Sequence, residues 1–525
     1  VSATAPASAG GAEAAAGMST PLLVGWVAMV VGMFLAILDI QIVASSLSEI
    51  QAGLAASPDE ISWIQTAYLI AEVIMIPLSG YLARMWGSRR LFVLSAAGFT
   101  LASLACAFAW SLESLIVMRA IQGFIGGGMI PCVFASVYLV FPAARQPAAS
   151  VAVGMIVTLA PAVGPTLGGF ITESLSWHWL FLINVVPGLV VILLVSSMPD
   201  FDRGDPSLAR GFDSLGLVLM ALFLGGLEFV LDEGPRDDWF DEPVITLWSA
   251  ISLLAGALFL WRCFSYYRPI VDLRIFANRN FALGCLLAGV LGLGLFGGVY
   301  ITPLYLSRVQ GFNAYQIGMV MSVMGIFMFI TAPVAGKLAE RVGTRAVLFV
   351  GILLAGIGLL GAGSFSADSA RDALFWPQAL RGMGLVTMIV TLNKVALATL
   401  APEQLSNASG LYNLARNMGG ALGLAAINTL LDGRFDLHFA RLGDWLDPAR
   451  PEYQAFGQRV GQALGGDPTA QGGVVLEMAR QLAHREALVM TFNDVHTLMG
   501  LCFALALLLV PLLKRPRQLL TAGAH

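Results

Sequence analysis

Charge is scarce in this 525-residue chain: Asp, Glu, Lys and Arg make up 12% of it, against 57% hydrophobic residues. So little polar surface cannot cover an apolar interior of this size in water, which excludes a set of soluble domains and leaves a polytopic membrane protein. Cysteine is also sparse. Cys106, Cys132, Cys263, Cys285 and Cys502 all fall in apolar stretches without metal-ligand spacing, which argues against disulfides and zinc. A net charge of -4 with no basic block implies no nucleic-acid partner. There is no GxxxxGK[ST] loop for ATP and no enzyme motif. The first twenty residues have neither a basic start nor an apolar core, so a signal peptide is not expected there.

What the chain has instead is long apolar runs. Segments of about 20 residues predict spans near 22–47, 61–84, 90–110, 112–140, 145–172, 177–198, 214–232, 243–264, 281–306, 314–339, 344–364, 373–400, 406–431 and 491–513. The fold class expected is therefore all-α, with fourteen transmembrane helices. Loops on the side of the termini carry about 16 Lys and Arg, whereas the short loops opposite carry Arg236, Arg308 and Arg371, which places both termini in the cytoplasm. The remaining large piece, 432–490, then lies outside, with helix-like periodicity over 449–464 and 472–490 around a Gly465-Gly466-Asp467-Pro468 break. It reads as a solvated cap or as a docking surface.

An internal repeat divides the chain. GYLARMWGSR from Gly80 matches GKLAERVGTR from Gly336, 256 residues later, and Arg119 and Arg381 are 262 residues apart, each leading a glycine-rich helix. Duplicated halves around a cavity are the architecture of a rocking transporter. The organisation expected is a tail over 1–21, an N-terminal six-helix half over 22–198, two inserted helices over 199–280, a C-terminal half over 281–513 holding the insert 432–490, and a tail over 514–525. Between the gates runs VGMIVTLAPAVGPTLGG, Val153 to Gly169. Its prolines remove backbone donors, and Ala160, Gly164 and Gly168 clear one face for close helix packing.

These motifs together resemble the major facilitator superfamily, and within it the fourteen-helix drug:proton antiporters of the EmrB and QacA type. Gly80 to Arg90 is similar to the superfamily's loop motif, LIVMRAIQGFIGGG from Leu115 to its helix-four arginine motif, and Gly164-Pro165-x-x-Gly168-Gly169 to its antiport motif. Leu38 to Val43, Trp177 to Asn184 and Tyr412 to Gly420 look like motifs of the fourteen-helix group. The resemblance implies a major facilitator fold in a bacterial inner membrane and multidrug efflux by exchange for protons, with no cofactor beyond the proton gradient. It also implies lipophilic or amphiphilic substrates, and a periplasmic adaptor and outer-membrane channel reached through 432–490 if the EmrB pattern holds. Gating is implied at Gly80, Arg84, Gly87, Arg89, Gly164, Pro165, Gly168 and Gly169, and in the second half at Gly336, Glu340 and Arg345. One departure matters: the loop motif usually has an acid where Arg84 stands, so the cytoplasmic lock is expected from Glu340 in the repeat.

Ionisable groups inside spans are costly and are functional candidates by default. Asp39 and Arg119 both fall roughly 10–12 Å below the outer surface at 1.5 Å per residue. They read either as a proton-coupling pair or as a permanent ion pair. Glu72 lies near the midplane on a polar stripe with Gln65, Tyr68 and Ser79. Desolvation there favours a protonated carboxyl group, which an approaching cationic drug would discharge; the alternative is a hydrogen-bonded packing acid. Glu228 is a shallower third coupling candidate. Gln41, Asn184, Tyr300, Asn413, Arg416 and Asn417 are expected to face the substrate cavity, with structural roles open for Asn184 and Arg416. Two rival readings stand beside the drug antiporter: an exporter of one metabolite, such as a siderophore or organic acid, and a receptor or scaffold without transport.

Overall fold

The computed structural model describes residues 19–57, 60–142, 145–367, 369, 371–464 and 472–514. The tail before Ser19, the Gly465–Pro468 break and the tail after Lys514 fall outside them. We number the long helices among these residues in chain order. In the first half they are α1 (Thr20–Ala44), α2 (Trp63–Trp86), α3 (Ser88–Ala107), α4 (Leu112–Val140), α5 (Gln146–Ser174) and α6 (Trp179–Ser197). Next come α7 (Ser214–Glu233) and α8 (Pro243–Ser265). The second half holds α9 (Arg279–Arg308), α10 (Ala314–Arg341), α11 (Thr344–Ala362), α12 (Arg371–Leu397), α13 (Leu405–Gly443) and α14 (Gly472–Leu507). Twelve of the traverses are long and apolar enough to cross a membrane. Helices α5 and α13 also have the length to cross, and α13 carries more polar residues, among them Asn413, Arg416 and Asn417; with these two the count is consistent with fourteen.

Local sequence accounts for many of the helix ends. Ser111 and Ser114 form a reciprocal capping box at the start of α4, as Asn313 and Gln316 do at α10, and the Asp213 carboxylate accepts from the Gly216 amide at 2.9 Å to open α7. The two copies of the repeat share a backbone feature. Gly87 before α3 has φ +87° and Gly343 before α11 has φ +102°, a region that only glycine enters cheaply.

Helices α2 and α13 bring the halves together near the C-terminal end of α2 and the start of α13. A Cβ on Gly80 would lie 2.9 Å from the Ser406 carbonyl oxygen, and one on Gly410 would lie 3.0 Å from that of Ile76. Ser409 Oγ donates to the Pro131 carbonyl at 2.7 Å. Helices α5 and α10 form the other seam, where Gly336 faces Val151 and Gly318 faces Thr166. The inserted helix α7 packs against both α2 and α13, and after it Trp239 Nε1 donates to Thr429 Oγ1 of α13 at 2.9 Å.

The outer piece differs from expectation. Helix α13 runs on to Gly443 instead of stopping near 431, and α14 joins the predicted 472–490 helix to the last span without interruption. No proline interrupts either junction, so nothing stops helix propagation. The helix over Pro451–Leu464 forms as its periodicity predicts. The two long helices are tied together by Asp494, which accepts from His438 at 2.9 Å and lies 3.6 Å from Arg434, while the His484 ring packs edge-on to Phe435 and Phe439. Of the predicted apolar face, Val475 is buried, but Val474, Met478 and Leu482 are exposed.

Candidate functional site

Two polar assemblies lie inside the first half and between the halves. The first is fully buried. Arg119 Nη1 donates to Asp39 Oδ2 at 2.5 Å, while Asp39 Oδ1 accepts from Asn184 at 2.7 Å and from Gln122 at 3.2 Å. Gln122 also donates to Ser103 Oγ at 2.7 Å and accepts from Arg119 at 2.6 Å, and the guanidinium lies 4.1 Å over the Tyr68 ring. Side chains from five helices, α1, α2, α3, α4 and α6, thus converge on one carboxylate and one guanidinium. Both Asp39 oxygens accept hydrogen bonds, two at Oδ1 and one at Oδ2, and neither Asp39 nor Arg119 has any exposure. Asn184 and Tyr68, expected at the cavity, belong to this assembly instead.

The second assembly lines a cavity of about 140 Å³ between the halves. Gln65 and Glu72 reach it from α2, Glu228 from α7, and Arg416 and Asn417 from α13, among walls of Ile, Leu, Val, Met and Phe that include Phe296, Met324 and Met328. Both acids are more than nine-tenths buried, Glu72 at 3% exposure and Glu228 at 8%, and among the described residues neither forms an ion pair or a side-chain hydrogen bond. Arg416 lies 5.5 Å over the Phe134 ring with a buried Nε that has no partner. The glycines of α4 set the position of Glu72. A Cβ on Gly127 would come within 3.0 Å of the Glu72 carbonyl oxygen and 3.2 Å of its Cγ, and Gly123 lets the Tyr68 backbone approach equally closely.

Other predicted cavity residues lie elsewhere. Tyr300 is 40% exposed and off the cavity wall, while its neighbour Val299 lines it. Asn413 is buried and donates to the Ser409 carbonyl at 2.9 Å. Gln41 packs against Gly164, and Gly168 sits against Ser45, Ser46 and the Ile42 carbonyl, so the cleared face of α5 receives α1. Pro165 is exposed and a Cβ on Gly169 would touch nothing within 4 Å, so these two take no part in that packing.

At the loop motif between α2 and α3, where Arg84 stands in place of an acid, an acid comes from another segment. Asp202, in the loop after α6, accepts from the Ser88 amide at 2.7 Å and its hydroxyl at 2.6 Å, and so occupies the N-terminus of α3 beside Gly87. Asp200 pairs with Arg89 at 2.6 Å, and Arg89 also donates to the Met198 carbonyl at 2.5 Å. Arg84 itself is half-buried, with Nε and Nη2 lacking partners. The expectation that Glu340 carries the lock is corrected: Glu340 is exposed and in no ion pair among the described residues, while Arg345 donates to the Pro511 carbonyl at 2.6 Å. Sequence reasoning missed Asp200, Asp202, Gln122 and Ser103. Three acids within the loop PDFDRGD, Asp200 and Asp202 among them, and a glutamine one turn after Arg119 were the available signals.

Comparison with known proteins agrees with this arrangement. The profile of the Major Facilitator Superfamily matches residues 29–424. The colistin resistance protein EmrB of Acinetobacter baumannii is 42% identical over 94% of this chain and 96% of its own length. The multidrug export protein EmrB of Escherichia coli K12 is 31% identical over the same shares. Among solved structures, the proton:xylose symporter XylE superposes with a TM-score of 0.60 over 95% of this chain and all of that one, at 13% identity, a likeness of fold alone.

Proposed function

The chain belongs to the major facilitator superfamily and is a multidrug efflux transporter of the EmrB type, and from that premise we propose that it exports lipophilic or amphiphilic compounds in exchange for protons. The observation that carries the proposal is the pair of unpaired, buried carboxyl groups, Glu72 and Glu228, on the wall of an otherwise apolar cavity between the halves. A carboxyl group so placed is cheap to keep neutral and costly to ionise until a cation arrives beside it. A cationic or amphiphilic compound entering from the inner side displaces the proton. Rocking of the halves about the α5–α10 and α2–α13 seams then exposes the cavity outward, the compound leaves, and a proton from outside resets the acid. Each proton moving inward supplies about 2.3 kcal/mol per 100 mV.

Within this scheme Glu72 and Glu228 are the proton carriers, Gln65, Arg416 and Asn417 orient the compound, and the Asp39–Arg119 assembly is a fixed clamp holding the first half rigid. Asp202 and Asp200 serve as the cytoplasmic lock. The protein works as a transporter rather than an enzyme, as a multi-pass protein of the bacterial inner membrane with both termini in the cytoplasm. The exposed Val474, Met478 and Leu482 on the outer part of α14 support docking of a periplasmic adaptor, with an outer-membrane channel beyond it.

The test is transport in proteoliposomes with the pH clamped on both sides. Uphill export should stop when an ionophore collapses the proton gradient; undiminished uphill export would end the proposal. Adaptor capture that survives deletion of 432–490 would remove the docking surface and leave the transport scheme standing.

A further inference from the structure

Arg381 of α12 is the counterpart of Arg119, but the polar partners that surround Arg119 are not repeated around it: Gln122 corresponds to Gly384, 262 residues later, and the carboxylate is missing. Tyr68, whose ring covers Arg119, corresponds to Met324, 256 residues later, whose sulfur faces Arg381 Nε at 3.3 Å and Nη2 at 3.2 Å. Where Asp39 meets Arg119, the second half has Gly298: a Cβ built there would lie 3.0 Å from both the Arg381 Cζ and Nη1. The arginine has kept its place and lost its carboxylate.

The consequence is an uncompensated charge. Arg381 is 3% exposed and in no ion pair among the described residues. Its remaining hydrogen-bond partner is Thr302 Oγ1, at 3.1 Å from Nη1. That uses three of five N–H groups, two of them on a thioether, which is a weak acceptor. A buried guanidinium with no negative partner is strongly unfavourable. Beside it lies a cavity of about 10 Å³, room for one species of about the size of a water. Gln378 and His496 share the wall. Gln378 is held by a 3.7 Å contact from Nε2 to the Met321 sulfur, and its Oε1 is buried without a partner, so turning the amide over costs little and offers an N–H to the cavity.

We propose that the Arg381 cavity binds a small monatomic anion, chloride in the cell, which takes the place in the second half that Asp39 fills in the first. The cavity volume limits the ligand to one atom, and the unpaired guanidinium sets its sign. The site is separate from the Glu72–Glu228 cavity, so it stands whatever the transported compound proves to be.

The experiment is a titration of the full-length protein in nanodiscs with sodium chloride against sodium gluconate at constant ionic strength, reading the thermal midpoint. The wild type should gain several degrees, saturating with chloride, because a ligand that binds only the folded state stabilises by mass action. Arg381→Gln should lose the dependence. Gly298→Asp should also be flat, since it restores the missing carboxylate. A flat wild-type titration would mean that the cavity holds a water only, and an unchanged chloride response in Arg381→Gln would mean that the ion binds elsewhere; either result overturns the site. Should the variants fail to fold, bromide anomalous scattering from wild-type crystals decides directly: a peak beside Arg381 supports the site and its absence there refutes it.

Discussion

Replacing Asp39 with asparagine separates a clamp from a proton carrier. The substitution keeps the shape of the side chain and one acceptor oxygen, but it removes the negative charge 2.5 Å from Arg119 Nη1 and sets a donor amide among the donors of Asn184 and Gln122. Breaking one partner out of a buried pair costs about 3–5 kcal/mol, mostly because the other charge is left behind. The Tyr68 ring over Arg119 already acts in the wild type and offers no replacement. Asp39→Asn should therefore lower the unfolding midpoint in detergent clearly. Asp39→Asn combined with Arg119→Gln should recover most of the loss, because both charges leave together. The assay is thermal unfolding of the wild type and the two variants beside drug-driven proton release in proteoliposomes. An Asp39→Asn protein as stable as wild type but without proton release would refute the clamp and make Asp39 the carrier. A double variant no better than the single one would refute the electrostatic reasoning.

Glu72→Gln should abolish drug-driven proton release, measured with an internal pH dye, while leaving drug binding detectable, and Glu228→Gln should weaken it; normal release in both would remove these acids from the coupling scheme. Gly127→Val should push α2 away at Glu72, costing about 1–3 kcal/mol in stability and lowering transport more than a matched substitution at Gly169, where an added Cβ meets nothing within 4 Å. Asp202→Ala should weaken the cap on α3 by about 0.5–2 kcal/mol. It should also raise the labelling rate of a cysteine placed on the cytoplasmic side of the cavity; an unchanged rate would free Asp202 of any role in closure.

Much of the fold was legible because membrane helices are written in hydropathy and the repeat in glycine. Gly87 and Gly343 share a backbone that few other residues enter, so the matching motifs had to mark matching turns. The site was legible in depth but not in azimuth. Counting rise along α1 and α4 put Asp39 and Arg119 at one level, yet each residue turns the helix by about 100°, and only packing decides which azimuth meets the cavity. Ile37 and Ile40 face it, and Asp39 faces the interior of its own half. Asp202 was invisible for another reason: its partner, the start of α3, is 114 residues away in sequence, and no periodicity records that contact.

The unbroken run of α13 from the cavity between the halves to Gly443 has a mechanical corollary. Arg416 at the cavity and Gly443 at the far end belong to one rod, about 40 Å apart at 1.5 Å per residue, so a tilt of about 10° pivoting near Arg416 sweeps its tip through about 7 Å. With α14 braced alongside through Asp494, the second half becomes a lever with a long arm. In the proposed transport cycle anything seated on that arm is pushed once per turn, and a load applied there is felt at Arg416.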